Sequence, residues 1–235
     1  MKNLIIASTS TIHGGKYLNY LRDELQNHFS NISELLFIPY ARPGGISHDK
    51  YTAIANKFFN TMGINVKGIH EFNSPKEAVR NAQGVFTGGG NTFLLVKQLY
   101  HYDLLSDLKN VILSGTPYLG SSAGSNICGL TAHTTNDMPI VLPKSLKTLG
   151  VIPFNINPHY LDPDPNSTHM GETRETRIKE FMNYNPQPVV GLREGSWIKV
   201  NGDDMILCGH LKARVFASIN KINEVAPGYN FRNLK

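Results

Sequence analysis

Five residues, Gly120-Ser121-Ser122-Ala123-Gly124, carry the plainest chemical signal in the chain. They follow an apolar, strand-like run and precede the helix-compatible Ser125-Asn126-Ile127-Cys128, which puts a G-x-S-x-G pattern in the strand–turn–helix setting of a nucleophile elbow. Small neighbours permit a sharp turn, the turn lifts the serine hydroxyl clear of a sheet, and a helix N-terminus favours the negative charge that develops there. Ser122 is the expected nucleophile; a Gly/Ser-rich turn without chemistry is the alternative. A second run, Thr87-Gly88-Gly89-Gly90-Asn91-Thr92, closes one strand-like segment and opens a helix-like one near Phe93. The C-terminal ends of parallel strands share one rim, so Gly89 or Gly90, together with Ala123, can aim a backbone N–H at an oxyanion. This run has neither G-x-G-x-x-G nor a Walker lysine, which argues against a nucleotide.

A serine nucleophile needs a base, and the chain holds nine histidines, more than spacing can rank. His159 in Asn157-Pro158-His159-Tyr160 stands out because it ends an apolar run and begins a proline-rich loop, where a rigid scaffold commonly presents catalytic groups. The base in turn needs an acid to fix its tautomer and stabilise the imidazolium. Asp137 and Glu194 both lie in turn-like contexts, and spacing does not choose between them. His159, Asp162, Asp164 and His169 mix imidazole and carboxylate as Zn²⁺ or Mn²⁺ sites do, but meet none of the usual ligand spacings. Neither a metal nor a cofactor is expected.

The elements that must position these groups read as an α/β fold with a mainly parallel sheet flanked by helices. Apolar runs at 4–7, 34–40, 66–72, 84–87 and 117–120 alternate with amphipathic stretches at 17–29 and 49–62, the pattern of βαβ units. Ser74-Pro75-Lys76-Glu77 supplies a capping box with proline at the first helical position. Near the C-terminus, 197–200 and 205–207 flank Asn201-Gly202 and predict an antiparallel hairpin with a type I′ turn. Residues 131–167 show no clear periodicity and read as a long loop, of the kind that is functional or disordered.

Composition bounds the class. With 235 residues, 40% hydrophobic and 17% charged, a single globular domain spanning 1–235 is the default. The apolar run behind Met1 is too short for a signal core or a membrane span and suits a buried first strand. Two cysteines, Cys128 and Cys208, make a disulfide framework unexpected and suit a reducing cytoplasm. The net charge of +5 is scattered without a dense basic run, which argues against nucleic acid and agrees with a pocket for a small acidic substrate. Self-association into a homo-oligomer stays open.

Four ordered blocks extend the elbow: Gly88-Gly89-Gly90-Asn91-Thr92-Phe93, residues 120–126, Asn157-Pro158-His159-Tyr160 and Gly171-Glu172-Thr173-Arg174-Glu175. Together they resemble the serine peptidase family that holds peptidase E, an aspartyl dipeptidase, and cyanophycinase. The resemblance implies a sheet related to the class I glutamine amidotransferase domain and hydrolysis of dipeptides with an N-terminal aspartate. It also implies Ser122 as nucleophile, His159 as base, either Asp137 or Glu194 as third member, and Arg174 as the fork for the aspartyl carboxylate, with Asn91 beside it in substrate binding. Guanidinium suits that task because it binds carboxylate bidentately. The plain alternative for Arg174 is a surface ion pair on its own helix. Two further alternatives are an esterase of the α/β-hydrolase type and a non-catalytic small-molecule-binding domain. The α/β-hydrolase fold normally places more chain between nucleophile and histidine than 122 to 159 allows.

Overall fold

The apolar runs become strands buried on both faces, which is why they read as nearly continuous hydrophobic segments. The computed structural model of the chain describes residues 1–168 and 170–234. Along the chain, strand β1 (Asn3–Ala7) leads to helix α1 (Arg22–His28), β2 (Glu34–Ile38), α2 (His48–Phe59), β3 (Asn65–Gly68), α3 (Pro75–Arg80), β4 (Val85–Thr87), α4 (Thr92–His101), α5 (Leu105–Ser114), β5 (Tyr118–Ser121) and α6 (Ala123–Asn126). Next come β6 (Asn155–Pro158), α7 (Arg174–Tyr184), β7 (Val189–Leu192), β8 (Trp197–Asn201), β9 (Asp204–Cys208), β10 (Ala213–Ser218) and β11 (Lys221–Val225).

A seven-stranded sheet runs β3-β2-β4-β5-β1-β8-β9, its first five strands parallel and the β8–β9 hairpin antiparallel at one edge. Alternate side chains of one strand face opposite layers. Ile5, Phe37, Phe86 and Leu119 pack under α1 and α2, against Leu25, Phe29, Ala55 and Phe59. On the other face Leu4, Ile6, Leu36 and Val85 meet Leu95, Leu99, Leu108 and Ile112 of α4 and α5. Each such side chain contributes about 1.5–3 kcal/mol by leaving water. Ser47, Ser74, Asn91 and Thr173 cap the helices that follow them through their side-chain oxygens.

Three details differ from the expectation. The third strand ends at Gly68, where the Glu71 carboxylate accepts the Gly68 N–H at 2.6 Å and the chain enters a 3₁₀ turn. The hairpin turns one residue later than predicted, because Asn201 pairs with Asp204 and leaves Gly202-Asp203 at the centre. Only Gly202 there has a positive φ, 58°, the pattern of a type II′ turn, whereas type I′ needs two.

The third difference is a second sheet, ordered β11-β10-β7-β6, with β6 and β7 parallel. Its first strand lies inside the stretch read as a loop. Asn155, Asn157 and Pro158 are poor strand formers, and they are tolerated because β6 is an edge strand. One face of this sheet joins the main core through Ile156, Val190 and Val215. The other is covered by α7, whose Ile178 and Met182 pack on Tyr160, Val189 and Phe216. No helix among the described residues is long and apolar enough to cross a membrane.

Candidate active site

β5 delivers Ser122 at the rim where the parallel strands end. Ser122 has φ 54° and ψ −110°, a conformation that costs a non-glycine residue about 1–3 kcal/mol. The flanking glycines are sterically required. A Cβ on Gly124 would lie 2.1 Å from the Thr87 carbonyl oxygen, and one on Gly120 would lie 2.4 Å from that of Gly124. The strained turn is stitched to β1: the Ser122 N–H donates to the Ala7 carbonyl at 3.1 Å, and the Ser125 hydroxyl reaches the same oxygen at 2.6 Å.

The glycine run of β4 closes on this serine. A Cβ on Gly89 would lie 2.9 Å from Cβ and 3.5 Å from Oγ of Ser122. Gly90 has φ 142° and packs against the Ala41 carbonyl, where no side chain fits. The Gly88 N–H donates to Ile38 and the Asn91 N–H to Ala41. Among the described residues, the N–H groups of Gly89, Gly90 and Ala123 take no intramolecular acceptor.

The second sheet supplies the imidazole. His159 follows β6 with φ 53°; its Nε2 accepts the Ser122 hydroxyl at 2.8 Å, and its Nδ1–H donates to Glu194 Oε1 at 2.6 Å. These two partners set the tautomer. Glu194 follows β7, the parallel neighbour of β6, so strand pairing alone puts acid and base side by side. A buried residue that the sequence does not single out docks this pair on the main sheet. The Ser8 hydroxyl, just past β1, accepts the His159 N–H at 2.8 Å and donates to the Leu192 carbonyl at 2.6 Å.

Arg193 is the second unanticipated residue. It forks Asp162 at 2.8 and 2.6 Å and Glu224 at 3.0 and 2.9 Å, tying the loop after His159 to the residue before Glu194. Its guanidinium holds the Asp162 carboxyl below the usual carboxylate range.

Of the two candidate acids, geometry brings only Glu194 to the ring. The Asp137 carboxylate instead accepts the Thr92 N–H at 2.7 Å and the Thr135 hydroxyl at 2.9 Å, at the start of α4. Asn91 is engaged at both ends of its amide: Oδ1 accepts the Leu94 N–H at 3.0 Å and Nδ2 donates to Met138 at 2.8 Å.

Arg174 opens α7 and borders a small cleft with His133, Thr135, Asn136 and Asn157. Among the described residues it has no ion-pair partner; the surface pairs of this helix belong to Glu175, with Lys179 and Arg214. Burial and then the nearby Arg177 hold its guanidinium below the usual arginine range. Asn136 links the cleft to the strand end before His159, accepting from Asn157 at 2.7 Å and donating to the Pro158 carbonyl at 2.5 Å. No group of three His, Cys, Asp or Glu side chains suited to a metal occurs among the described residues. Asp162 belongs to Arg193, Asp164 accepts the Asn166 N–H, and His169 lies outside the described residues.

Residues 4–208 match the model of peptidase family S51. A Drosophila melanogaster protein named probable alpha-aspartyl dipeptidase is 44% identical over 229 residues, covering 96% of this chain and 94% of that protein. Peptidase E of Streptomyces coelicolor is 46% identical over 232 residues, 99% of this chain and 94% of its own. The crystal structure of a peptidase from an acI-B1 actinobacterium shares the fold, with a TM-score of 0.72 at 15% identity over 98% of this chain and 96% of that one.

Proposed function

This chain belongs to peptidase family S51, and from that premise we propose that it hydrolyses dipeptides with an N-terminal aspartate through an acyl-enzyme on Ser122. The observation that carries this reading is the unbroken relay from Glu194 through His159 to Ser122, with contacts of 2.6 and 2.8 Å. Arg174, without an ion-pair partner among the described residues, forks the aspartyl carboxylate and sets the α-carbonyl before Ser122. Ser122 attacks as His159 takes its proton, and Glu194 stabilises the imidazolium. Negative charge on the carbonyl oxygen falls to the unoccupied N–H groups of Gly90 or Gly89 and of Ala123. His159 then protonates the leaving amine, and water, activated by the same imidazole, hydrolyses the ester. The proposed setting is the reducing cytoplasm, where Cys128 and Cys208 stay as free thiols.

A panel of Asp-Leu, Asn-Leu, Glu-Leu and Leu-Leu tests reaction and specificity together. Asp-Leu should be cleaved well ahead of the others. Ser122→Ala should abolish turnover, and Arg174→Met should raise KM for Asp-Leu at least tenfold, on the order expected for losing a charge-assisted fork. Near-normal cleavage by Ser122→Ala, or an indifferent panel, would reject the reading. A fluorophosphonate should label Ser122, as a mere binding domain would not permit.

A further inference from the structure

The unoccupied Gly90 N–H can serve an oxyanion only if its peptide keeps one orientation, and that peptide lies between two glycines. Without a Cβ on either side, steric barriers to rotating it are at their lowest. The following peptide is held through the Asn91 N–H by Ala41, and two peptides back the Gly88 N–H is held by Ile38. Among the described residues the Gly89–Gly90 peptide has one anchor: the Tyr51 hydroxyl, which donates to the Gly89 carbonyl oxygen at 3.1 Å. A trans peptide is planar, so its C=O and N–H point in opposite directions. Holding the carbonyl on the Tyr51 side therefore turns the Gly90 N–H away from it.

Tyr51 is built for a fixed anchor. It lies on α2, 1% exposed, with its ring edge-on to Phe37 at 4.9 Å and the Arg42 guanidinium 4.7 Å above it. Burial pushes its phenol above the usual tyrosine range, so it remains a donor throughout the working pH of a histidine base. The same ring fills the space beside Gly88, where a Cβ would lie 2.6 Å from the hydroxyl oxygen.

We propose that Tyr51 is a positioning residue of the oxyanion hole, whose hydroxyl locks the Gly89–Gly90 peptide so that the Gly90 N–H is presented to the tetrahedral intermediate. The proposal rests on the reading of Ser122 as the nucleophile. Tyr51 touches no substrate; it acts through the peptide it holds.

Tyr51→Phe in the full chain keeps the ring and removes the hydroxyl. The expected result is a fall in kcat on Asp-Leu of about tenfold to a hundredfold, approaching the loss of one oxyanion donor, with KM changed less than about twofold. Two inhibitors separate this from a packing role. An aspartyl aldehyde, which forms an oxyanion on Ser122, should lose affinity by the same factor as kcat. A reduced-amide analogue of Asp-Leu, which has no carbonyl to polarise, should bind as before. Tyr51→Met, donor-free and of adaptable shape, should repeat the pattern and is the working variant if Tyr51→Phe does not fold. Unchanged kcat, or equal losses for both inhibitors, would overturn the proposal. If Ser122→Ala itself kept turnover, the underlying serine mechanism would be at fault; if that variant is dead while Tyr51→Phe is fully active, only the role of Tyr51 fails.

Discussion

At the imidazole of His159, two carboxylates compete on paper and one makes contact. Glu194 receives the Nδ1–H at 2.6 Å, while Asp137 spans Thr92 and Thr135 in the manner of a helix cap. Their neutral amides should therefore separate cleanly. Glu194→Gln should lower kcat by about 10²–10⁴ with little change in KM, because an amide cannot stabilise the imidazolium and can hold the wrong tautomer. Asp137→Asn should keep kcat within about tenfold and lower stability by about 1 kcal/mol through a weakened cap. Kinetics on Asp-Leu and thermal unfolding of both variants check this, and the opposite ranking of kcat would return Asp137 to the relay. Arg174 shows the same contrast between sequence and place. Its helix offers acids for surface pairing, yet the pairs form around Glu175 and the Arg174 fork is left without a partner among the described residues.

Elements set these side chains through a few long-range contacts. His28, in the last turn of α1, donates from Nε2 to the Tyr118 carbonyl at 3.2 Å and so fastens the helix to the strand that ends in the elbow. Burial holds its pKa down to about 4, against 6.5 for a free histidine. The folded state keeps His28 neutral, whereas the unfolded chain takes up a proton below about 6.5. Its contribution is accordingly complete above pH 6.5 and is lost as pH falls toward 4, on the order of 2 kcal/mol after allowing for partial exposure. Urea unfolding at pH 7 and pH 4.5 should show a smaller acid loss for His28→Gln than for the unaltered chain. Equal losses would mean that other groups carry the acid sensitivity. The link from Ser8 to His159 and Leu192 works at the same scale, since one buried hydroxyl registers the end of β1 against the ends of β6 and β7.

Over the whole molecule, Ser122 follows a strand of one sheet while His159 and Glu194 follow strands of the other, so the proposed relay depends on how the sheets dock. They share a core: Ile6 and Ile198 of the large sheet belong to the same apolar cluster as Ile156, Val190 and Val215 of the small one. We therefore propose that the chain unfolds as one cooperative unit. Fluorescence of Trp197, on the large sheet, far-UV circular dichroism and loss of dipeptidase activity should give coincident urea midpoints. Activity lost well before the fluorescence change would show that the small sheet detaches by itself.

Local signals were legible in the sequence because they act through backbone conformation over a few residues. The elbow glycines are excluded from bearing a Cβ by neighbouring carbonyls, and Gly90 sits at a φ that side chains avoid, so spacing alone marks both turns. The parallel strands were equally legible, since burial on both faces demands continuous apolar runs. The small sheet was not, because β6 is an edge strand of Asn-Ile-Asn-Pro whose pairing with β7 overrides its weak propensity. That pairing brings Glu194 to His159, while the start of α4 draws Asp137 away. The sequence by itself determined the turn that bears Ser122, the glycine loop and the parallel scaffold. Only the tertiary structure decided which acid meets His159, and which tyrosine bonds the glycine loop, because those contacts join residues that no local periodicity relates.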